Sequence, residues 1–440
     1  MADLLELSAR FIDGKETPTE LGPVNRITLE LSEVADNVAM VEAFSHIVIF
    51  RTDDGLVLFD TTLESMATAA LGRIRTWSND RVNTMVYTHG HIDHVGGGQI
   101  FVEEALVRGD NRPQVVSHEA VPERFDRYRL TSGYNNHINN RQFSRTKMHG
   151  MSPSKEEVAE IPFGPSVFVE PNTTYRDAMS LTIGDTHFEL HHSRGETDDH
   201  TWTWVPHLRA ICMGDLLIWA FPNAGNPQKV QRFPHDWAVA LREMAALQPE
   251  LLLPAHGLPI DGVDRIQLVL GETASALEHL VAQTIAMMNA GETLNKIIHT
   301  VRVPDSLLER PWLQPVYDEP EFVVRNIWRF YGGWYDGNPA RLKPARDNHL
   351  AEEIVLLSGG VEPVMTRALT LADTEPPVVG GVNEDLRLAC QLIEWAFTYA
   401  EQRGEVSDAL REAMKDIYRK RLAVETSLMA KSIYGEASKR

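Results

Sequence analysis

Short apolar runs alternate with stretches of helical spacing along the first 265 or so residues. Strands are predicted at 46–50, 56–59, 82–87, 187–192, 201–205, 210–213 and 251–253. Helices are predicted at 63–78, 97–107 and 235–247. The turn Asp53-Asp54-Gly55 joins the first two strands as a hairpin. Strands interleaved with helices predict a layered α/β domain.

Strand patterns disappear beyond residue 265. Helical apolar spacing follows at 265–289, 292–301, 320–331, 345–358, 383–402 and 405–431. We therefore predict an α/β domain over 1–265 and an α-helical domain over 266–440, whose linker and first helices run from 266 to about 340. Residues 118–180 are rich in Asn, Arg and Tyr. This composition predicts an irregular region that is inserted over the functional site of the α/β domain.

Composition narrows the possible partners. The hydrophobic share of 43% and the charged share of 24% are those of an ordinary globular protein. No apolar run approaches the roughly 18–20 residues that span a bilayer, so no membrane span is expected. The net charge of −20 disfavours nucleic acid as a partner. The start of the chain lacks a secretory pattern and Cys212 and Cys390 lie far apart, which together favour a cytoplasmic location.

The densest cluster of chemically active side chains follows the strand predicted at 82–87. Four potential metal ligands fall within six residues, namely His89, His91, Asp93 and His94. They are too dense for one helix face, but on a loop the first two can serve one ion and the last two a neighbouring one. Imidazole and carboxylate donors suit zinc, and also Mn or Fe. The run therefore predicts a centre with two metal ions.

This run resembles the signature of the metallo-β-lactamase superfamily, which implies an αββα sandwich. The resemblance also implies three further ligands in chain order, which are Glu196 after Gly195, Asp215 after Gly214, and His256 in Pro254-Ala255-His256-Gly257. It implies one zinc ion held by His89, His91 and Glu196, a second held by Asp93, His94 and His256, and Asp215 between the two.

Glu196 stands where most relatives have histidine, and a carboxylate there resembles the alkylsulfatase branch of the superfamily. The segment 328–340 is similar to the one that opens the alkylsulfatase dimerisation domain, so a homodimer is expected. One residue departs from that pattern, because alkylsulfatases carry a bridging glutamate followed by asparagine, where this chain has Asp215.

The resemblance implies attack on a small anionic ester by a metal-bound water or hydroxide, with Asp93 and Asp215 taking part in catalysis. Arg232, Asn223 and Tyr317 resemble the residues that bind sulfate in alkylsulfatases, and Arg141 is a further candidate for binding the anion. Asp60, at a strand end, is expected either to orient a ligand imidazole or to cap the strand.

Three functions are compatible with these residues. The first is hydrolysis of alkyl or aryl sulfates to an alcohol and inorganic sulfate, which Glu196 and segment 328–340 favour. The second is a lactonase or β-lactamase-like hydrolase acting on an acyl carbon with the same metal centre, which Asp215 suits equally. The third is an interaction scaffold with a vestigial site, which the complete ligand set disfavours.

Overall fold

The computed structural model describes residues 3–17, 26–143, 163–374 and 378–440. The chain forms two compact units. The first consists of Met1–Asn136 and Lys155–Gly333, and the second of His137–Ser154 and Trp334–Arg440. The predicted division at 265 and the observed one at 333 differ, and the reason lies in how the helices between them pack.

Two β-sheets form the centre of the first unit. Within the described residues, one sheet has seven strands in sequential order, β1 Leu31–Ala35, β2 Val38–Val41, β3 Ile47–Thr52, β4 Gly55–Phe59, β5 Val82–Val86, β6 Gln114–His118 and β7 Thr173–Tyr175. Its first three strand pairs are antiparallel and the last three are parallel. The hairpin predicted around Gly55 is the β3–β4 pair.

The second sheet has the order β13-β12-β11-β10-β9-β8 among the described residues. Its strands are β8 Ala178–Ile183, β9 Thr186–His192, β10 Thr201–Val205, β11 Ala210–Gly214, β12 Leu251–Pro254 and β13 Ile260–Asp261. Strands β11 and β12 are parallel, and Gly214 is in register with Pro254. Their carboxyl ends therefore meet at one edge, where the chain continues into Asp215 and His256.

Alternation along the strands divides the core into layers. On β3, Val48 and Phe50 face the other sheet, where the Phe50 ring meets Phe188 edge-on with centroids 5.4 Å apart. Ile47 and Ile49 point the opposite way, into a second apolar cluster formed with helices. Because both faces are buried, these strands are continuous apolar runs rather than alternating ones.

Helices cover both outer faces of the first unit. They are α1 Leu4–Ile12, α2 Glu64–Trp77, α3 Ile92–Val95, α4 Gly98–Arg108, α5 Val121–Leu130, α6 Ser132–Gln142 (which belongs to the second unit from His137 onward), α7 Pro234–Ala246, α8 Val263–Asn289, α9 Leu294–Thr300, α10 Asp305–Leu308 and α11 Pro320–Gly332. Helices α2 and α4 pack against the first sheet, and α7 and α8 share the core of the second. The predicted αββα sandwich is confirmed.

Two parts of this unit differ from the sequence-based expectation. Residues 118–180 were expected to be irregular, but they include α5, α6, β7 and the first half of β8, while 144–162 lie outside the described residues. Helix α8 was assigned to the helical domain, yet its apolar face, including Ile266 and Leu270, is buried in the sandwich core. Helical periodicity shows that a face must be buried, but not against which core.

The second unit is helical, as predicted. Its helices are α12 Pro339–Leu342, α13 Asp347–Leu357, α14 Val361–Ala372, α15 Glu384–Arg403, α16 Asp408–Val424 and α17 Leu428–Ala437. The single helix predicted at 405–431 is instead two, because the Ser427 hydroxyl caps α17 by accepting a hydrogen bond from the Ala430 amide. Across the described residues no single helix has the length and apolar composition of a membrane span, although α13 and α14 meet that test together as a bent pair.

Candidate metal centre

The donors at 89–94 lie at the carboxyl end of β5. The strand ends at Val86, His89 follows three residues later, and the short helix α3 presents Asp93 and His94. Three other strand ends supply the remaining donors, since Glu196 follows β9, Asp215 follows β11 and His256 follows β12. The fold thus gathers at one site all seven residues that the sequence analysis proposed as ligands.

Four of these residues form one closely spaced set. The His94 Nε2 atom lies 3.6 Å from Asp93 Oδ2 and 3.3 Å from Asp215 Oδ1. The His256 Nε2 atom lies 3.4 Å from Asp93 Oδ2 and 3.5 Å from Asp215 Oδ1. Asp93, His94 and His256 are the three residues proposed for the second ion.

The other residues surround the opposite side of Asp215. His89 Nε2 and His91 Nδ1 lie 2.8 Å apart, and His91 Nδ1 lies 3.7 Å from Glu196 Oε1. His89 Nε2 is 3.8 Å from Asp215 Oδ2. The two oxygens of Asp215 therefore face different donor sets, as expected of a residue between two ions.

These spacings suit metal ions. Tetrahedral zinc with ligand bonds of about 2.0–2.1 Å separates its donors by about 3.4 Å, and most of the spacings above lie near that value. Two donor atoms, His94 Nε2 and Asp215 Oδ1, are buried without a hydrogen-bond partner among the described residues. Since buried polar atoms are rarely left unpaired, the pair points to a ligand that accepts lone pairs. The residues present fit a two-ion centre.

The charges of the site also favour bound cations. Burial lowers the pKa of His94, but the carboxylates of Asp215, Asp60 and Asp93 together raise that pKa well above its usual value. Burial raises the pKa of Glu196 to about 8, even though Arg232 opposes the shift. The positive side chains nearby thus do not balance the charge of the buried carboxylates. Divalent ions would supply the missing positive charge.

Asp60 orients one of the imidazoles. Its Oδ2 lies 2.7 Å from His94 Nδ1, and its Oδ1 accepts a hydrogen bond of 2.8 Å from the Thr88 amide. A carboxylate at Nδ1 holds the proton there and leaves Nε2 as the donor that faces the site. Of the two roles considered for Asp60, the contacts favour orientation of the ligand.

A buried ion pair that the sequence analysis missed supports the His89–His91 backbone. Arg124 donates to both carboxylate oxygens of Asp199, at 2.6 and 3.0 Å, and Asp199 accepts from the Gly90 amide at 3.1 Å. A Cβ on Gly90 would lie 2.8 Å from Arg124, so only glycine fits between the two histidines. Asp199 lies three residues after Glu196, but no sequence signal connected Arg124 to this site.

His200 is a second missed neighbour. Its ring stacks on His89 with centroids 5.0 Å apart, and its Nε2 accepts a hydrogen bond from the Asp215 amide at 3.1 Å. Gly214 has a φ of +53°, and a Cβ there would collide with the His200 ring at 2.7 Å. The turn that presents Asp215 therefore depends on a glycine packed against this histidine.

Polar side chains from the 215–233 loop meet the centre at Glu196. Asn223 donates to Glu196 Oε1, and Arg232 Nη1 donates to the Glu196 carbonyl and lies 3.2 Å from Oε1. Both side chains are buried. The structure thus brings these two predicted anion-binding residues to the metal centre.

The other candidates for anion binding are distributed differently. Tyr317 lies close enough to the site that, after burial, the charges of Glu196 and Asp93 further raise its pKa. Arg141 belongs to the second unit, where its Nε lies 3.6 Å from Glu436 Oε2, and its role stays a prediction.

Lys229 was missed by the sequence analysis, and burial together with Arg232 lowers its pKa to about 7. The only indication in the sequence was its position between Asn223 and Arg232, since a single lysine forms no motif.

Comparisons with known families agree with this geometry. Residues 41–256 match the model of the metallo-beta-lactamase superfamily, and residues 293–440 match that of the alkyl sulfatase dimerisation domain. Residues 41–256 form a domain of the metallo-β-lactamase superfamily. The predicted family is therefore confirmed, together with the alkylsulfatase-type helical domain that follows the sandwich.

Curated proteins that are similar to this chain include two sulfatases. A linear primary-alkylsulfatase of Pseudomonas sp. (strain ATCC 19151) is 27% identical over 73% of this chain and 62% of the relative. The alkyl/aryl-sulfatase BDS1 of Saccharomyces cerevisiae is 26% identical over 77% of this chain and 54% of the relative. The chain thus spans little more than half the length of these relatives.

A solved structure shares the fold over almost the whole chain. The stereoselective inverting sec-alkylsulfatase Pisa1 from Pseudomonas sp. aligns with a TM-score of 0.77 at 20% identity, covering 97% of this chain and 68% of that one. At this identity the likeness concerns the fold, including both the sandwich and the helical unit.

Proposed function

We propose that this chain is a binuclear zinc hydrolase that cleaves alkyl or aryl sulfates to an alcohol and inorganic sulfate. One observation carries the proposal, namely that Asn223 and Arg232 meet the metal donors at Glu196. A site that joins a two-ion donor set to a buried guanidinium suits an anionic ester. The names of the two curated relatives support the same substrate class.

In this proposal His89, His91 and Glu196 would hold one ion, Asp93, His94 and His256 would hold the other, and Asp215 would lie between the two donor sets. When bound, two zinc ions supply Lewis acidity and a nucleophile at neutral pH. Asp60 keeps Nε2 of His94 directed at the centre, while Asp199 fixes the backbone between His89 and His91. The donor set also suits Mn or Fe.

Charge favours an anionic substrate. The carboxylates of Asp93, Glu196 and Asp215 offset three of the four positive charges that two divalent ions would bring. Arg232 and Lys229 add positive charge on the same side. A guanidinium donates several hydrogen bonds in a fixed plane, which matches the oxygens of a sulfate group.

Asp93 and Asp215 have different environments and therefore different proposed tasks. The side chain of Asp93 is 19% exposed, so it can accept a proton from water in the cleft. The side chain of Asp215 is 6% exposed and lies between the imidazoles of His94 and His256. We assign proton acceptance to Asp93 and the spacing of the two ions to Asp215.

The test is release of inorganic sulfate by purified, zinc-loaded protein from a panel of alkyl and aryl sulfates. We expect hydrolysis of at least one ester, loss of activity after chelation, and recovery with zinc. Lactones and nitrocefin serve as the comparison panel. Hydrolysis of those compounds with every sulfate untouched would replace the proposal by an acyl hydrolase.

We also propose that the second unit mediates a homodimer, because residues 293–440 match a dimerisation model. Light scattering coupled to size-exclusion chromatography should give twice the chain mass of 49.5 kDa. A monomer at micromolar concentration would contradict this.

A further inference from the structure

The loop at 215–233 is long and irregular, yet it supplies two side chains to the site. All of its residues are described, and it contains no helix or strand. Connections of this length without secondary structure are uncommon and usually functional. Much of this loop is buried, including Asn223, Asn226 and Arg232, so its backbone groups need partners within the protein.

Those partners come from residues almost a hundred positions later in the chain. The fully buried carboxylate of Asp318 accepts hydrogen bonds through Oδ2 from the amides of Gly225, at 2.7 Å, and Asn226, at 3.0 Å. Its Oδ1 accepts a third bond of 2.7 Å from its own neighbour, Glu319. One carboxylate thus holds the middle of the loop.

Asn326, on helix α11, holds the two sides of the loop together. Its amide nitrogen donates to the carbonyls of Ala224 and Arg232, both at 2.9 Å, and its Oδ1 lies 3.4 Å from the Arg232 amide. The contact is close, because a Cβ on Gly225 would lie 2.5 Å from the backbone of Phe322. The loop therefore rests directly on the start of α11.

Asn326 thus bonds to the backbone at or beside the two residues whose side chains reach Glu196. Asn223 precedes Ala224, and Arg232 is itself bonded to Asn326 through its backbone. The side chains of Asp318 and Asn326 bond to the backbone of the loop rather than to a metal donor, so both act on the site through the loop.

We propose that Asp318 and Asn326 are positioning residues, which set the orientation of Asn223 and Arg232 toward the substrate anion. This inference rests on the proposed function for its substrate, but the loop contacts themselves do not depend on it. Because Asn223 and Arg232 bind the anion rather than the metal, a displaced loop should weaken substrate binding and leave the ions in place.

The experiment compares the variants Asp318→Ala and Asn326→Leu with the wild type. We expect kcat/KM for the best sulfate ester to fall roughly 10- to 100-fold, as for the outer partners of other active-site residues. The change should be mainly in KM, inhibition by inorganic sulfate should weaken by a similar factor, and zinc should stay at two ions per chain. Asp318→Asn keeps an oxygen that can accept from both amides, so it should recover part of the loss.

Two controls separate positioning from general damage. Arg325→Ala changes an exposed neighbour on α11 that pairs with Glu321 and should leave the kinetics unchanged. Leu277→Ala removes buried volume from α8, so it lowers stability without removing a hydrogen bond to the loop. A loss of kcat/KM in Asp318→Ala that merely matches the loss in Leu277→Ala would overturn the proposal.

Hydrogen exchange tests the same contacts without any substrate. The amides of residues 221–232 should exchange faster in Asp318→Ala than in wild type, with the strands of the sandwich unchanged. Unchanged exchange together with a kcat/KM within threefold of wild type would overturn the positioning role. A wild type that cleaves no sulfate ester would overturn the proposed function, and the exchange data would then decide the role of Asp318 alone.

Discussion

Two halves of one site are built in different ways. The metal half, formed by the seven proposed ligands, stands on the ends of β5, β9, β11 and β12. The proposed anion half, formed by Asn223, Lys229, Arg232 and Tyr317, stands on the irregular loop at 215–233 and on the segment before α11. Sheet hydrogen bonds fix the first half, whereas single side chains such as Asp318 fix the second.

Because the two halves are held in different ways, we expect substitutions in them to have different effects. Changes in the metal half should remove bound metal and lower kcat. Changes in the anion half should raise KM while the metal stays. A variant of one half that shows the effects expected of the other half would show that its residue has been assigned to the wrong half.

The largest effect is expected from loss of a donor. His94→Ala removes one of the three ligands proposed for the second ion, so we expect kcat/KM to fall by at least about 10³. Zinc content, measured by mass spectrometry of the metal, should fall below two ions per chain. The exposed His187 provides the matched control, because His187→Ala should change neither value. Full zinc occupancy in His94→Ala would contradict the assignment of His94 as a metal ligand.

Arg232→Lys tests the anion half with the charge retained. Lysine cannot reproduce the planar donors of arginine, so kcat/KM for a sulfate ester should fall about 10²-fold, mainly through KM. Arg194→Lys, at an exposed arginine paired with Asp236, is the control. Loss of zinc from Arg232→Lys would place this residue in the metal half instead.

Asp60→Asn changes a partner of a ligand rather than a ligand. The affinity for zinc should weaken roughly 10- to 100-fold, because His94 loses the carboxylate that holds its tautomer. Competition with a chromogenic chelator measures this affinity, and Asp53→Asn on the exposed β3–β4 turn is the control. An unchanged affinity would favour the alternative role of Asp60 as a strand cap.

The smallest expected effect concerns Lys229 and depends on pH. With a pKa of about 7, beside Arg232, Asp93 and Glu196, Lys229 is charged below pH 7 and neutral above it. Its help in binding an anionic ester should therefore fade as pH rises through 7. At pH 6, Lys229→Gln should lower kcat/KM roughly tenfold, and Lys229→Arg should keep that help at pH 8. Equal pH profiles for all three proteins would exclude Lys229 from the anion half.

The metal half was largely predictable from sequence. Four of its donors lie within six residues of the chain, and the resemblance to the metallo-β-lactamase superfamily that this run carries implied Glu196, Asp215 and His256. The supporting residues were less accessible. Arg124 reaches Gly90 only through Asp199, and the partners of that network are 75 and 109 residues apart.

The sequence by itself determined the layered strands, the helical second part and the donor cluster, because each depends on periodicity or on residues close together in the chain. Only the tertiary structure decided where α8 belongs, how Asn223 and Arg232 meet Glu196, and that Asp318 and Asn326 hold the loop between them. Those features depend on which buried backbone groups find partners across the fold, and local pattern carries no information about partners ninety residues away.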